Sequence, residues 1–400
     1  MRILIAHNFY QQAGGEDAVY HAECEMLERA GHEVVRYELR NDSIQGLGGR
    51  ISSALDAPFS RAQYRQLTRL MTGIRPDIVH THNFFPLLTP AIFQASSDLG
   101  IPSVLTLHNY RLTCAGAQLY RNGKPCELCL NASAYHGALH RCYRGSVVGS
   151  FGVARMIETH RRRRTWQSSV TRFIALTPFA RGKFIEAGLP AGKLVVKPNF
   201  VIDPGAPELP PAQSREEFVF LGRLSEEKGL HTLLRAWRGS DQTLRIIGDG
   251  PERAALEAIA PRNVTFTGTL PADTVRAALA GARALLVPSR WYEGFPMVIV
   301  EAFAAGVPVI ASRIGSLTDL ILPGQNGELV DVGDIEQWQA IVQRFSENTA
   351  LATACAQGAR KTFVDLYSEK QNLKQLEDIY ESAISAPDAL PDAPLSEPAE

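Results

Sequence analysis

Long apolar runs are absent from this 400-residue sequence. The longest apolar stretch, Phe295 to Ala311, is broken by Glu301, Gly306 and two prolines. It reads as buried helix followed by strand and not as a membrane span. An excess of one charge is also missing: 41 Lys and Arg stand against 42 Asp and Glu, a formal charge of −1. The molecule therefore has no overall field to attract nucleic acid, although a local basic patch is still allowed. No GxxxxGK[ST] loop occurs, which disfavours a helicase or other P-loop protein. The opening segment MRILIAHNFY is too briefly apolar for an export signal and reads as a buried strand. The expected setting is cytoplasmic, where the six cysteines would stay reduced.

What is present alternates almost from end to end. Strand candidates at Ile3 to Ala6, Glu33 to Leu39, Asp77 to His82, Pro102 to His108 and Arg172 to Thr177 are separated by amphipathic stretches. The first of these is a helix from about Glu16 to Ala30 that opens after Gly14-Gly15 and stops at Gly31. Fully apolar strands between helices imply a parallel sheet covered on both faces. VIDPGAPELPPAQSR, residues 201–215, holds four prolines and little periodicity, the mark of an interdomain linker. Beyond it the alternation restarts at Phe218 to Gly222, Leu244 to Gly248, Val264 to Thr267, Ala284 to Pro288 and Pro308 to Ala311. The expected fold is α/β, with two Rossmann-like doubly wound domains facing a central cleft. The domains are placed at 1–203 and 204–365, with an insert at 110–145. A helix at 366–385 packs back on the first domain, and a polar, Pro-rich tail at 386–400 lacks the apolar surface to order itself.

The second half carries the sharpest chemistry. Gly222-Arg223-Leu224-Ser225-Glu226-Glu227-Lys228-Gly229 follows a strand and opens a helix. Glycine admits a ligand to the backbone, the helix start offers free N–H groups, and Arg223 and Lys228 add charge, a combination suited to a diphosphate. Two solvated surface cations are the plainer reading. Further on, Glu293 precedes a helix opened by Gly294, Phe295, Pro296 and Met297, and Glu301 lies eight positions later inside the apolar run. A carboxylate buried there needs donors, from a ribose diol or from a nearby arginine.

GRLSEEKG, IIGDGPE, VTFTGTL and EGFPMVIVEAFAAGVPVIAS, in that order, resemble the donor-binding domain of GT-B glycosyltransferases of the retaining family 4 group. Glu293 and Glu301 match that family's E-x7-E signature. The Gly-rich loop after the first strand, DIVHTHN, LTLHNYR and the Lys197-Pro198-Asn199 turn are similar in the first half. The resemblance implies a retaining transferase that moves a sugar from a nucleotide-diphosphate sugar donor to a hydroxyl of a glycan or lipid-linked acceptor in surface polysaccharide biosynthesis. Arg223 and Lys228 would neutralise the diphosphate, with Gly222 beside them. Glu301 would hold the ribose, and Leu270 would meet the base. Glu293 and His108 would contact the transferred sugar, with Gly294, Phe295, Pro296 and Met297 closing over it. Gly14 and Gly15 would approach the phosphates. No Asp-x-Asp motif occurs, so the implied catalysis needs no metal cofactor. A noncatalytic nucleotide-sugar sensor or scaffold, a GT-B epimerase and a phosphorylase are the alternatives.

Cys114, Cys126, Cys129 and Cys142 fall within the insert, with Cys126 and Cys129 as a Cys-x2-Cys pair. Four thiolates suit a structural zinc; reduced packing thiols and disulfides are the other readings. Cys24 and Cys355 read as ordinary helix residues. His160-Arg161-Arg162-Arg163-Arg164 is the one dense basic run, either a solvated helix face or peripheral contact with the inner face of the membrane. Phe9, Tyr10, Phe84 and Phe85 are candidates for cleft or core, and His80 and His82 read as structural strand-end residues.

Overall fold

Arg2–Phe9 (β1) is apolar on both faces up to its carboxyl end, and every residue after Arg2 is buried. Such a strand has neighbours on both sides and layers above and below. A computed structural model, describing residues 1–11, 14–43, 52, 54–205 and 215–385, shows this arrangement twice. In the first sheet β1 is joined by Glu33–Arg40 (β2), Ile78–Asn83 (β3), Ser103–Leu107 (β4), Arg172–Ala175 (β7) and Leu194–Val196 (β8). The order is β2-β1-β3-β4-β7-β8, and every pair is parallel. A register shift between Ala6 and His7 against β3 sets His7 opposite Asn83. Polar residues thereby gather at the carboxyl ends of β1 and β3, where the strand order reverses.

The second sheet comprises Glu217–Leu221 (β9), Leu244–Ile247 (β10), Val264–Gly268 (β11), Ala282–Val287 (β12), Val309–Ser312 (β13) and Gly327–Val330 (β14). Its order is β11-β10-β9-β12-β13-β14, again parallel, so the reversal falls between β9 and β12. Phe218, Phe220, Leu224, Leu233, Trp237 and Trp338 are buried in its core. Each such side chain contributes about 1.5–3 kcal/mol on leaving water.

The chain forms two compact units, Met1–Leu119 with Glu127–Pro198 and the segment from Asn372, and Tyr120–Cys126 with Asn199–Gln371. Helix Gly15–Arg29 (α1) starts at Gly14, whose N–H donates to the Asp17 carboxylate at 3.0 Å. Helix Val147–Arg163 (α2) is capped by Ser146, which accepts from the Gly149 N–H. The C-terminal helix, Glu369–Ser385, buries Asn372, Leu376, Ile379, Tyr380 and Ala383, a stripe at helical spacing. In the first unit Tyr380 donates to or accepts from His80 at 2.7 Å, and Asn372 accepts from Lys197 at 2.9 Å. Strands β8 and β14 and a short hairpin, Tyr120–Arg121 (β5) with Lys124–Pro125 (β6), were not anticipated from the sequence. All three are only two to four residues long, too short for periodicity to register. The middle of the expected linker, 206–214, and the tail 386–400 lie outside the described residues.

Candidate active site

In the second unit the loops after β9 and β12 meet at the switch point. Lys228, after β9, places Nζ 2.8 Å from Glu293 Oε1, after β12, and 5.4 Å from the Trp291 ring centre. Ser289 donates to the same Glu293 oxygen at 2.6 Å, and Glu293 is buried. The Arg290 N–H donates to the Glu227 carbonyl at 2.8 Å. Gly229 makes this approach possible. Its φ is +74°, and an added Cβ would stand 1.9 Å from the Pro288 carbonyl oxygen, so any side chain would drive the two loops apart. Gly248 and Gly250 play the same part behind them, against the carbonyls of Gly222 and Leu224. All three lie in motifs the sequence singled out, Gly229 in GRLSEEKG and Gly248 and Gly250 in IIGDGPE, but their part in letting backbone segments pass was not read there.

Arg223 lies beside half-buried Gly222 and is exposed, with no acidic partner among the described residues. Leu270 is half-buried just beyond the end of β11. Phe295 and Pro296 are buried and Gly294 and Met297 half-buried where Met297–Ala304 (α3) begins; its first-turn N–H groups have no side-chain cap. Glu301 corrects the expectation of a buried carboxylate. Ile299, Val300, Ala302 and Phe303 are buried while Glu301 is exposed, because it takes the open face of α3. The apolar run reads as continuous only when helix geometry is ignored. Partial desolvation still raises the Glu301 carboxyl above its ordinary value, opposed by Arg276.

The hairpin of the insert belongs to this second unit, where Gly123 (φ +75°) passes Glu226 so closely that a Cβ would stand 3.0 Å from its carboxylate. The four insert cysteines are not gathered: among the described residues no three of their sulfurs lie within 4.8 Å of one another, and none forms a disulfide. Cys114 and Cys142 both border Gly116. This arrangement does not fit a four-thiolate zinc site. The insert is held instead by hydrogen bonds from α2: Glu158 accepts from the Ala134 N–H at 2.7 Å, and Arg161 donates to the carbonyls of Ala132 and Cys129. The basic run is accordingly neither wholly solvated nor wholly available to a membrane. His160 is buried between Thr165 and the Pro58 carbonyl, its imidazole pushed down to about 4 by burial. Arg162, Arg163 and Arg164 are exposed.

In the first unit Gly14 and Gly15 are exposed at the start of α1. Beyond the strand ends, His108 Nε2 lies 3.0 Å from His82 Nδ1. His82 Nε2 is 3.4 Å from Glu23 Oε2, and Glu23 Oε1 accepts from the fully buried Lys197 at 2.7 Å. His80 spends both ring nitrogens, on Tyr380 and on Thr106 at 2.8 Å. Glu23, His80 and His82 bring ligand atoms within 4.8 Å of one another, but the Lys197 ammonium already supplies the cation. Desolvation holds His80 and His108 well below the usual histidine range, while Lys197 and the histidines outweigh burial and keep Glu23 well below the carboxylate range. Glu16 was not singled out in the sequence. It accepts from Asn83 and Asn109 at 3.3 Å each, and burial raises it to about 7. Its only sequence signal is its position just after two glycines. Phe84 and Phe85 are core residues, Phe84 packing on Phe93 and Trp166.

Two Rossmann-like units, one with cations and carboxylates converging on its switch point, are the architecture of a GT-B nucleotide-sugar enzyme. Residues 13–203 match the family model Glycosyltransferase Family 4, and residues 206–362 match Glycosyl transferases group 1. The chain belongs to this group 1/family 4 class of GT-B glycosyltransferases. It is 38% identical over 149 residues to a GDP-mannose-dependent alpha-mannosyltransferase of Corynebacterium glutamicum, covering 36% of each chain, about a third of that relative's length. A Mycobacterium tuberculosis protein of the same name is 28% identical over 356 residues, covering 83% of this chain and 84% of that one. The fold is also that of Anabaena Alr3699/HepE in complex with UDP, with a TM-score of 0.68 at 18% identity over 96% of this chain and 100% of that one.

Proposed function

We propose that the chain is a retaining glycosyltransferase that moves a sugar from a nucleoside-diphosphate sugar to a hydroxyl of a glycan or lipid-linked acceptor, in surface polysaccharide biosynthesis. The observation that carries this reading is the switch point of the second unit. There Arg223, with no acidic partner among the described residues, a Lys228 already neutralising Glu293, and the start of α3, without a side-chain cap among the described residues, stand on adjoining loops. Breaking the anomeric carbon–oxygen bond leaves negative charge on the diphosphate and positive charge on the sugar. Arg223 and Lys228 oppose the first, and a carboxylate at Glu293 opposes the second. The acceptor oxygen enters on the face the diphosphate leaves, and a departing phosphate oxygen takes its proton. No protein base is assigned, and no metal is called on because the sequence lacks an Asp-x-Asp pair. Retention is supported by the relatives: GDP-mannose is α-linked, and those relatives are named alpha-mannosyltransferases.

Glu301, on the open face of α3, is assigned the ribose diol. Thermal denaturation with UDP-, GDP- and ADP-sugars tests this. Donor at 100 times its dissociation constant adds about 2.7 kcal/mol, so one nucleotide class should raise the melting temperature, and Glu301→Ala should abolish the rise. No shift with any donor would overturn the assignment. Binding without sugar transfer or donor hydrolysis would favour the sensor alternative.

Peripheral membrane contact is assigned to the basic run, where Arg162, Arg163 and Arg164 are exposed, together with the start of the same helix, α2. Leu139, Val147, Val148 and Phe151 are at least half exposed, next to exposed Arg141 and Arg144. Basic residues at an anionic bilayer add about 1 kcal/mol each. The chain should sediment with phosphatidylglycerol vesicles, and Val148→Asp with Phe151→Asp should leave it in the supernatant. Equal sedimentation of the double variant would refute this surface.

A further inference from the structure

The buried chain Lys197–Glu23–His82–His108 fixes where each proton sits. Lys197 and Glu23 are both within 1% of full burial, and their 2.7 Å contact keeps the carboxylate ionised. A carboxylate oxygen can only accept. Glu23 Oε2 stands 3.4 Å from His82 Nε2 and 3.9 Å from His80 Nδ1, which is already bonded to Tyr380, and neither Glu23 Oε2 nor His82 Nε2 makes a hydrogen bond among the described residues. An ionised oxygen at 3.4 Å opposes a lone pair on Nε2 and favours an N–H there. The proton of His82 therefore lies on Nε2. A second proton on this ring would leave positive charge uncompensated in the interior, because Lys197 and Glu23 already cancel. His82 Nδ1 thus carries a lone pair, and the His108 Nε2 that meets it at 3.0 Å must be the donor. Once that proton is spent, Nδ1 of His108 is a bare acceptor with no hydrogen-bond partner among the described residues, on a half-buried side chain.

We propose that Lys197, Glu23 and His82 are positioning residues that lock His108 in its Nε2–H tautomer, so that Nδ1 accepts a hydrogen bond from a hydroxyl of the transferred sugar. This deepens the proposed function and rests on its assignment of His108 to the sugar. The direction matters chemically. As positive charge builds on the sugar ring its hydroxyls become more acidic, and a bond to a lone pair strengthens toward the transition state. The opposite tautomer would present an N–H there and lose that gain. The lock acts on kcat more than on donor KM, since the nucleotide supplies most of the ground-state affinity.

The test uses the full chain labelled with 15N at histidine. Two-bond proton–nitrogen correlations should show His108 protonated at Nε2 and bare at Nδ1; the reverse pattern would overturn the lock. His82→Gln keeps an amide donor for Glu23 and an oxygen acceptor for His108. It should preserve the tautomer and most of kcat in assays with GDP-mannose and UDP-glucose. His82→Leu should give mixed tautomers and a kcat about tenfold to hundredfold lower at similar donor KM. Glu23→Gln combined with Lys197→Met removes both buried charges together, and should release the tautomer in the same way. An unchanged Nε2–H signal in that double variant, or equal kcat for the Gln and Leu variants at position 82, would overturn the proposal. His108→Ala separates the two readings: wild-type kcat, with the lock visible in the spectra, would remove the sugar contact and leave the tautomer assignment standing.

Discussion

Arg223→Ala should lower turnover by roughly 10²–10³-fold, the usual cost of removing one preorganised donor from a developing anion, while the melting temperature stays within a degree or so. Arg223 is exposed and has no acidic partner among the described residues, so nothing in the fold depends on it. Lys228→Ala should cost as much activity and also destabilise the second unit, because Glu293 would be left as a buried carboxylate with Ser289 as its remaining side-chain donor. The Lys228 side chain is 23% exposed, so the stability loss should be smaller than for a fully buried pair. Combining the two substitutions should abolish measurable transfer. Circular dichroism melts beside donor-hydrolysis and transfer rates separate the effects. Near-normal turnover in the double variant would show that the diphosphate is neutralised elsewhere, and a collapsed Arg223→Ala fold would show that the loop after β9 is structural.

The first unit should lose stability steeply as the pH falls below 6.5. His7, His80, His108 and His160 all have folded values depressed by burial, so below 6.5 the unfolded chain binds up to four protons that the folded chain refuses. His160 stops contributing near pH 4, its own folded value. Glu16 works in the opposite direction. Raised to about 7, it holds a proton in the folded state between pH 7 and 4.5, which favours the fold as the pH falls. Four histidines less one glutamate leave up to three protons net, or at most roughly 4 kcal/mol per pH unit between 6.5 and 4.5. Set against the 5–15 kcal/mol typical of a domain, that slope unfolds the unit within a few pH units. Urea melts at pH 8, 7, 6 and 5 should show it, and His80→Gln should reduce the slope by about one proton. A flat profile would mean that water reaches these histidines in the folded state.

Much of the second unit's chemistry was legible from its motifs. The cations at 223 and 228, the glutamates at 293 and 301 and the glycine-opened helix all lie on the loops after β9 and β12 or on the helix that follows, where parallel-sheet ligands bind. Spacing along the chain cannot report partners, however, and it did not reveal that Lys228 pairs with Glu293 at a sequence distance of 65. For Glu301 the apolar neighbours suggested burial, but a helix turns 100° per residue, and one position in an apolar run can face solvent. The cysteines carried a metal-like spacing, yet the backbone hydrogen bonds of Tyr110, Cys114 and Ala117, together with Glu158 and Arg161, hold the insert without bringing any three of its sulfurs within 4.8 Å of one another among the described residues.

Local pattern by itself determined two parallel α/β units, the positions of their longer strands and the loops that carry charge. Burial on both faces and glycine at strand ends are properties of consecutive residues, and they survive in a string of letters. Which side chains share a proton was decided only in three dimensions. Lys197 meets Glu23 across 174 residues and Tyr380 meets His80 across 300, contacts that exist because β1, β3 and β4 are neighbours and the C-terminal helix packs within the same unit. Once water is excluded there, each buried donor must find an acceptor, and that requirement, rather than any motif, sets the state of His108.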